Sequence, residues 1–365
     1  MAKKTVMDSL TTFVKTHQSE ARPIVLVTSG GTSVPLEKNM VRSVENFSTG
    51  SRGSSSAEYF LSKGYAVIFL YRPGSLQPFL RRISSEYGGL GEITPKLAST
   101  LASSLGEDTS GFDLPSFVDP VKEFDRVIDK TLFMVDYKTV TDYLELFEEI
   151  CKVVDVCGRQ AMIYAASAVS DFYIPEDKMA KHKIQSGEAG NGVDEDGCLN
   201  MKLYPVPKKL RSIGEWCSKA LVVSFKLETD TTILQKKSLR AIDNYNVDVV
   251  VGNILSTRKA ECVLYMGEDR KGLKLKTSGG MDLEEEIIAA LVDKHFQHIS
   301  EGGGAEVFRA VERSDIRKAR DFRLFRGMGT WKQTLFLVWE YVGPLVGLGI
   351  AALLQRGFNK RLTGS

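Results

Sequence analysis

The stretch from Asn46 to Glu58 reads N-F-S-T-G-S-R-G-S-S-S-A-E and combines the residue types that hold phosphate groups. Glycines let a ligand approach the backbone, and hydroxyl and amide side chains hydrogen-bond to anionic oxygens. We expect Ser54-Ser55-Ser56 to cap a helix here, whose free N–H groups and positive dipole end would attract an anion. A solvated turn has a similar composition, so the pattern alone leaves phosphate binding and an ordinary loop equally open.

A short apolar run leads into this stretch. Pro23 to Thr28 predicts a buried strand that stops at a tight turn, Ser29-Gly30-Gly31-Thr32. The dinucleotide fingerprint G-x-G-x-x-G does not follow this strand, and the sequence contains no G-x-x-x-x-G-K-[ST]. A phosphate site here would therefore be of a less familiar type.

Strand-like and helix-like runs alternate along the rest of the chain. The further predicted strands are Tyr65–Tyr71, Ala161–Ala166, Leu221–Phe225, Val247–Val251 and Cys262–Tyr265, and the predicted helices are Thr139–Val156, Pro207–Lys219, Thr231–Tyr245 and Leu283–His298. This alternation predicts an α/β fold with a Rossmann-like, mostly parallel sheet and helices on both faces. Such sheets bind ligands at the carboxyl ends of their strands.

Four predicted strands end in polar groups that would share one edge of the sheet. They include the turn at Gly30, the Ala166–Phe172 segment with Asp171, the Ser224–Asp230 segment with Phe225 and Lys226, and the Gly252–Ile254 segment with Asn253. Each end alone could be a cap or a turn, but their joint placement favours a site. Phe225 could stack on a base or belong to the core, and Lys226 could balance phosphate charge.

Two irregular segments interrupt the alternation. Ser84 to Lys122 is rich in Gly, Ser and Pro and predicts a long excursion with short helical pieces. Pro175 to Pro205 is polar and ends in alternating apolar residues, which predicts a two-stranded flap or arm outside the sheet. The flap carries a cationic cluster of Lys178, Lys181, His182 and Lys183. Such a cluster is either solvated and inert or a mobile cation that closes over phosphates.

Composition excludes several classes of protein. With 48 Lys and Arg against 46 Asp and Glu, the net charge is +2, so no overall field favours nucleic acid. The five cysteines are far apart without a C-x-x-C, which indicates a reducing compartment and argues against zinc. His295 and His298 are three residues apart on a predicted helix and could share a metal, but no carboxylate-rich motif accompanies them. Residues 1–21 form a polar segment that resembles neither a secretory signal nor a transit peptide, so we expect a cytoplasmic protein.

The C-terminal residues differ from the rest. Val307 to Lys332 is basic, and Thr334 to Leu354 is almost wholly apolar except for Glu340. About 20 apolar residues suffice to cross a bilayer, so the tail is either a membrane anchor or a helix docked on a partner. The predicted organisation is a polar segment at 1–21, one domain at 22–299, a basic linker at 300–332 and a hydrophobic tail at 333–365.

Six segments point to a known family. They are V-T-S-G-G-T-S-V-P-L-E, V-E-N-F-S-T-G-S-R-G, A-S-A-V-S-D-F, H-K-I-Q-S, S-F-K-L-E-T-D and G-N-I-L. In this order they resemble phosphopantothenoylcysteine synthetase in its monofunctional eukaryotic form, over roughly Arg22 to Ile299. The resemblance implies a homodimer that joins 4′-phosphopantothenate to L-cysteine in coenzyme A biosynthesis. It also implies that a nucleoside triphosphate with Mg²⁺ first activates the pantothenate carboxylate as an acyl-nucleotide, which the cysteine amine then attacks.

The resemblance also assigns residues. The positions that match nucleotide contacts of the family are Gly30, Ser48, Gly50, Gly53, Phe225 and Asn253. Asn46 matches the asparagine that handles the acyl-phosphate intermediate, and Lys183 matches the first lysine of a K-I-K-K loop, which here reads K-I-Q-S. The departure leaves open which lysine acts as the mobile cation. F-K-L-E-T resembles members that use ATP, whereas CTP users read F-A-A-E-T. The role of Asp171 stays open between orienting a lysine, a ribose or the cysteine amine.

Two other functions remain as alternatives. An NADP-dependent oxidoreductase would use Arg72 at the end of the second strand for a 2′-phosphate. Tyr59 with Lys63, or Tyr204 with Lys208, would then imitate a reductase pair, although both pairs are badly placed. The other alternative is a non-catalytic scaffold with a synthetase-like fold that the tail attaches to a membrane.

Overall fold

An eight-stranded sheet organises the part of the chain that the computed structural model describes, which is residues 2–86, 114–186, 192–207, 209–266, 270–277 and 282–302. These residues lie in one compact unit, Met1–Ala310. The strands of the sheet are β1 (Ile24–Ser29), β4 (Ala66–Tyr71), β5 (Leu132–Asp136), β6 (Ala161–Ala165), β9 (Leu221–Glu228), β10 (Val249–Ile254), β11 (Glu261–Met266) and β12 (Leu273–Lys276). Two short antiparallel strand pairs lie outside it, the β2 (Ser33–Pro35) and β3 (Ser43–Glu45) hairpin and the pair of β7 (Phe172–Tyr173) with β8 (Tyr204–Pro205).

The strand order across the sheet is β12-β11-β10-β9-β6-β1-β4-β5. β1 pairs in parallel with β4 on one side and with β6 on the other. The pairs β4–β5, β6–β9 and β9–β10 are also parallel, and β11 and β12 continue the sheet in antiparallel pairing. From β1 the chain adds β4 and then β5 on one side of the sheet. It then adds β6, β9 and β10 in turn on the other side of β1. This is the doubly wound order of Rossmann folds, and it reverses between β1 and β6.

Helices cover both faces of the sheet. They are α1 (Ala2–Ser19), α2 (Ser51–Ser62), α3 (Leu80–Glu86), α4 (Leu114–Val127), α5 (Val140–Val154), α6 (Ile213–Trp216), α7 (Thr231–Tyr245) and α8 (Leu283–Glu301), with 3-10 helices at Asp155–Gln160, Glu176–Lys178 and Lys209–Ser212. Successive strand residues point to opposite faces. Leu26 of β1 packs in one apolar cluster with Phe147 of α5, while Val27 packs in a second with Phe60 of α2 and Leu291 of α8. The predicted fold class is therefore confirmed.

Helix α1 is the main element that the sequence analysis did not anticipate within residues 1–21. Leu10, Phe13 and Val14 are buried, and their spacing of three and four residues places them on one side of the helix. The Phe13 ring lies 5.4 Å from the ring of Phe133 in β5. A narrow apolar stripe in a polar sequence is enough to attach this helix to the sheet.

Several predicted boundaries differ from the structure. The predicted helix Pro207–Lys219 is instead the 3-10 helix Lys209–Ser212 followed by the single turn α6. Gly214 has low helix propensity, which fits a short helix at this point. The predicted strand Val247–Val251 lies further along, at Val249–Ile254, and the predicted helix Thr231–Tyr245 is confirmed.

The predictions for the C-terminal tail fall on residues outside the described part of the chain. Thr334 to Leu354 and Val307 to Lys332 are in that group, and so are residues 87–113 of the predicted excursion. At the start of the predicted linker, α8 continues to Glu301. Among the described helices, none combines the length and apolarity that a bilayer crossing requires.

Candidate active site

The polar ends of four parallel strands meet at one edge of the sheet, as predicted. Thr28 of β1 lies opposite Ala165 of β6, and Leu227 of β9 lies opposite Asn253 of β10. The crevice between β1 and β6 is the point at which the winding reverses, and doubly wound sheets bind ligands at that point.

A turn carries the chain from β1 across to the loop after β6. Gly30 has a φ of 88°, a conformation that glycine adopts at little cost. Its carbonyl oxygen accepts a hydrogen bond from the N–H of Ala168 at 2.9 Å, and the N–H of Thr32 donates to the Ala168 carbonyl at 3.1 Å. A Cβ on Gly31 would lie 1.8 Å from the carbonyl oxygen of Asn46. The two glycines therefore allow the Asn46 segment to lie directly against the end of β1.

Asn46 follows the β2–β3 hairpin and is held from two sides. Its backbone N–H donates to the carbonyl of Thr32 at 3.1 Å. Its side-chain Nδ2 donates to the carbonyl of Val169, after β6, also at 3.1 Å. A primary amide has two N–H groups, so the second one can donate to a ligand. The half-buried side chain is thus oriented by the protein and still reaches solvent.

Helix α2 begins beside Asn46 with an end suited to an anion. Gly50, with a φ of 77°, turns the chain into the helix, and no side chain caps it. Its first N–H groups and positive dipole end are therefore available to a ligand. The Gly50 N–H donates to Ser48 Oγ at 3.3 Å, and Ser29 Oγ donates to the Gly50 carbonyl at 3.1 Å. The structure brings together the Gly30 turn, Asn46, Ser48 and this helix end.

Ser54, Ser55 and Ser56 do not cap a helix, and this prediction was wrong. The helix starts earlier, at Ser51, because the positive φ of Gly50 makes the turn. All three serines are buried inside α2. Their small size allows the helix to pack closely against its neighbours, and the hydroxyl of Ser56 shares a hydrogen bond of 2.7 Å with the hydroxyl of Tyr164.

Gly53 lies where α2 touches β1. A Cβ at this position would lie 2.5 Å from both Cβ and Oγ of Ser29. Close packing of helix and strand is therefore sufficient reason for a glycine here, as at the third glycine of dinucleotide-binding turns. Its match to a nucleotide-contacting position stays a prediction.

Arg52 connects α2 to the end of β10, and the sequence analysis did not select it as a site residue. Its Nη2 donates to Oδ1 of Asn253 at 3.1 Å and to the carbonyl of Arg258 at 2.6 Å. Its Nη1 forms an ion pair with Glu284 of α8 at 3.0 Å. Asn253 is buried and donates its own Nδ2 to the carbonyl of Val251 at 3.1 Å. The arginine between the two glycines of G-S-R-G was the sequence signal that could have identified it.

Phe225 and Lys226 lie on β9, next to β10. The half-buried Phe225 ring contacts Tyr164 edge to face, with ring centres 4.9 Å apart. Lys226 Nζ pairs with Glu228 at 3.2 Å, and Lys237 pairs with the same carboxylate at 2.9 Å. Burial favours a higher pKa for Glu228, but the hydrogen bonds from the two lysines outweigh it and hold the pKa below its usual value. Lys226 is thus already paired with a charged carboxylate.

Lys183 and Asp171 lie in the segment after β6, and both are exposed. The backbone carbonyl of Asp171 accepts from the N–H of Val206 at 2.9 Å, next to the antiparallel pair of β7 and β8. Ile184, which follows Lys183, is buried and donates its N–H to Glu37. Within the described ranges, no hydrogen bond or ion pair joins Lys183 or the Asp171 carboxylate to the Gly30 turn or to α2. The assignment of both side chains to the site stays a prediction, although Ser170, which precedes Asp171, donates its N–H to Thr32 Oγ1 at 2.9 Å beside the Gly30 turn.

The residues on which the oxidoreductase alternative rests are engaged in other contacts. Arg72 forms an ion pair with Glu45 and donates to the carbonyl of Gly31. The Tyr59 hydroxyl donates to Asp282, and burial together with nearby carboxylates raises its pKa. A reductase tyrosine needs its pKa near the working pH. Lys208 lies outside the described residues. The structure therefore gives this alternative no support.

His295 and His298 use their ring nitrogens for hydrogen bonds within the protein. His295 lies 2.9 Å from the hydroxyl of Tyr65 and 3.0 Å from the carbonyl of Arg159. His298 lies 2.8 Å from the carbonyl of Lys219. In the described ranges, no three His, Cys, Asp or Glu side chains are grouped as a metal site would require.

Comparison with known proteins gives consistent matches. Residues 129–289 match the family model of the DNA/pantothenate metabolism flavoprotein C-terminal domain. The chain is 40% identical over 283 residues to phosphopantothenate–cysteine ligase 2 of Oryza sativa subsp. japonica, covering 76% of this chain and 81% of the relative. It is 36% identical over 290 residues to the phosphopantothenate–cysteine ligase of Homo sapiens, covering 78% of this chain and 89% of the relative.

One relative, from Saccharomyces cerevisiae, is similar to this chain in sequence, and a solved structure under the name Cab2 is similar to it in fold. The chain is 38% identical over 295 residues to phosphopantothenate–cysteine ligase CAB2, covering 74% of this chain and 76% of the relative. A solved structure of a Cab2 mutant in complex with phosphopantothenate-cysteine superposes with a TM-score of 0.69 at 35% identity, covering 82% of this chain and 95% of that chain.

Proposed function

Because the chain belongs to the phosphopantothenate–cysteine ligase family, we propose that it joins 4′-phosphopantothenate to L-cysteine in coenzyme A biosynthesis. The observation that carries this proposal is the placement of Asn46. Its oriented amide lies beside the uncapped start of α2, at the reversal point of the sheet. An amide donor next to an anion-binding helix end suits a reaction in which a carboxylate and a phosphate become one anhydride.

We propose that the reaction proceeds in two steps. The pantothenate carboxylate attacks the α-phosphate of ATP, pyrophosphate leaves, and an acyl-adenylate forms. The cysteine amine then attacks the acyl carbon, AMP leaves, and the amine loses a proton. Asn46 donates to the acyl-phosphate oxygens, and Lys183 balances charge on the phosphates. Positioning and charge stabilisation are the main requirements of such a reaction.

The chemistry of the cysteine thiols supports a mechanism without a protein nucleophile. Burial is the main cause that raises the pKa of the Cys157 thiol to about 11 and those of the Cys217 and Cys262 thiols to about 12. Thiols of this kind carry little thiolate at neutral pH and are poor nucleophiles. In the proposed mechanism, the attacking groups come from the two substrates.

Mg²⁺ fits this site as a partner of the triphosphate. Mg²⁺ binds substrate phosphates together with one or two carboxylates and several waters. At the relevant edge of the sheet, the exposed carboxylate of Asp171 could supply one oxygen ligand. The ion would neutralise charge on the phosphates. We favour ATP over CTP because of the F-K-L-E-T segment that contains Phe225 and Lys226.

We also propose a homodimer, supported by exposed apolar side chains on and near the two antiparallel strand pairs outside the sheet. Met40, Val41, Val44 and Phe47 flank or belong to β2–β3, and Phe172, Leu199 and Met201 lie in or near the arm that ends at β8. Phe47 is 92% exposed, which is costly for a phenylalanine unless a partner covers it. The apolar tail, if it is an anchor, would attach an otherwise cytoplasmic enzyme to a membrane.

One assay tests the ligase. The purified chain is incubated with 4′-phosphopantothenate, cysteine, Mg²⁺ and either ATP or CTP, and nucleotide products are separated. We expect AMP and pyrophosphate to appear with ATP, in amounts equal to the ligated product. Release of ADP would exclude the adenylate route, and the lack of any nucleotide-dependent product with either triphosphate would exclude the ligase.

A further inference from the structure

Glu37 is a fully buried carboxylate in the connection between β2 and β3. Its oxygens accept from the backbone N–H of Arg42 at 3.1 Å, from Arg42 Nε at 2.9 Å and from the N–H of Ile184 at 3.4 Å. Burial alone favours a higher pKa for Glu37, but these hydrogen bonds and the guanidinium hold the pKa below its usual value. Glu37 therefore stays charged within the fold.

The same ion pair binds both backbone polar groups of Ile184. While the N–H of Ile184 donates to Glu37, its carbonyl accepts from Arg42 Nη2 at 2.5 Å. A second attachment lies four residues earlier, where the N–H of Lys38 donates to the carbonyl of Ala180 at 2.8 Å. The segment from 180 to 184 is thus fixed at both ends to the connection between β2 and β3.

This attachment holds the backbone of both lysines of the segment, Lys181 and Lys183, and Lys183 is the one that matches the loop lysine of the family. Lys183 is exposed and directly precedes the buried, doubly bound Ile184. Lys178, by contrast, lies in a separate 3-10 turn and pairs with Asp177 at 3.4 Å. The backbone that carries Lys183 is therefore held in place, although its side chain remains free to reach a ligand.

The β2–β3 hairpin links this anchor to Asn46. Arg42 precedes β3 and Asn46 follows it, and β3 is paired along its length with β2. Four residues of extended chain span about 13 Å. One short hairpin therefore carries the anchor of the lysine segment at one end and the candidate catalytic amide at the other.

We infer that Glu37 and Arg42 are positioning residues, which fix the Lys183 backbone relative to Asn46 so that cation and amide act together. This inference rests on the proposed ligase function for its catalytic part. Neither residue needs to touch a substrate, because both act through the segment that they hold.

The anchor is tested first without any activity measurement. Glu37→Gln keeps the shape but removes the charge, and Arg42→Lys keeps a charge but cannot bind the carboxylate and the Ile184 carbonyl together. We expect trypsin to cleave after Lys181 and Lys183 at least about tenfold faster in both variants, since local opening exposes the bond. The control is Asp248→Asn, whose carboxylate binds the N–H of Val222 at 2.7 Å at the opposite edge of the sheet. Unchanged cleavage in both test variants would overturn the anchor.

A kinetic cycle tests the positioning role. Glu37→Gln should lower kcat by about 10- to 100-fold, the range expected for a misplaced catalytic group, with little change in KM for ATP. In a Lys183→Ala background the same substitution should have no further effect. The inference would be overturned if Glu37→Gln lowered kcat by the same factor in the Lys183→Ala background, or if Lys183→Ala alone were fully active. An inactive unsubstituted chain would instead reject the ligase proposal, and the cleavage experiment would still decide on the anchor.

Discussion

The guanidinium of Arg52 and the side-chain amide of Asn253 are joined by a hydrogen bond of 3.1 Å between residues 201 positions apart. This contact connects the first turn of α2, which offers N–H groups to an anion, with the end of β10. Burial raises the pKa of Glu284, and the Arg52 charge opposes that increase. Arg52 thereby orients Asn253 and stabilises the charged form of Glu284 with one side chain.

Replacing Arg52 should weaken nucleotide binding. Lysine retains the charge, but one ammonium cannot serve Asn253, Arg258 and Glu284 in the geometry of a guanidinium. Without the guanidinium, Asn253 at the end of β10 would lose the contact that orients it, so we expect Arg52→Lys to raise KM for ATP by about tenfold or more. The control is Arg159→Lys, since Arg159 binds the carbonyl of His298 at 2.8 Å, away from the candidate site. Equal KM values for the two variants would contradict this role.

Asn46→Ala should reduce turnover and leave the fold intact. Within the protein, this substitution removes the side-chain hydrogen bond from Nδ2 to the Val169 carbonyl, which contributes about 1 kcal/mol. Thermal unfolding should therefore shift by only a few degrees, while ligated product forms at least about 100-fold more slowly. Asn46→Asp has the same shape without the N–H donors and should be equally impaired. An unfolded Asn46→Ala protein, or one with normal turnover, would contradict the assignment.

Gly31→Ala should displace the Asn46 segment. Its Cβ would meet the Asn46 carbonyl oxygen at 1.8 Å, which is far inside contact distance, so the backbone must move. We expect a loss of about 1 to 3 kcal/mol in stability and a large loss of ligase activity. Gly214→Ala is the matched control, because nothing lies within 4 Å of its added Cβ and alanine favours the helical turn. If Gly31→Ala behaves like Gly214→Ala, the close approach of Asn46 is not required.

His295 should make the protein less stable at mildly acidic pH. The Arg159 carbonyl can only accept, so Nε2 carries the proton and Nδ1 accepts from the Tyr65 hydroxyl. Burial lowers the pKa of His295 from 6.5 to about 4. Below pH 6.5, His295 therefore binds a proton in the unfolded chain but stays neutral in the folded chain. The free energy of unfolding thus falls as pH decreases from 6.5 to about 4.

The measurement for His295 is urea unfolding at pH 7 and pH 5. The shift predicts a loss of about 2 kcal/mol in the free energy of unfolding between these values. His295→Gln, which has no titrating ring, should lose correspondingly less over the same interval. Parallel pH dependence of the two proteins would show that the buried histidine does not control this loss.

The hydrophobic tail predicts membrane attachment that is independent of catalysis. Deletion of Trp331 to Ser365 should leave kcat and KM unchanged, because the matched motifs all precede the tail. The deleted protein should move from the membrane pellet to the supernatant after cell fractionation. Glu340→Leu removes the single charge of the apolar stretch, so this variant should remain in the pellet. A full-length chain already in the supernatant would contradict an anchor.

Patterns that are local in sequence predicted most of the fold. The site residues that were not predicted depend on contacts between residues far apart in sequence. The alternation of strands and helices predicted six of the eight strands and the shared edge of their ends, whereas β5 and β12 were not predicted. Arg52 and Glu37 were not selected, because their partners Asn253 and Ile184 lie 201 and 147 positions away. The start of α2 was misplaced because the conformation of Gly50, rather than a serine cap, sets it.

Helix α1 is synthesised before the elements that cover it. Its Phe13 packs on Phe133, and Lys3 pairs with Glu145 and Glu149 of α5 at 3.1 Å each. At about 5 to 20 residues per second, these partners emerge from the ribosome on the order of ten seconds after α1. During that interval the apolar stripe around Phe13 is incompletely buried. A nascent chain that stalls before α5 would therefore expose it and become a target for chaperones and proteases.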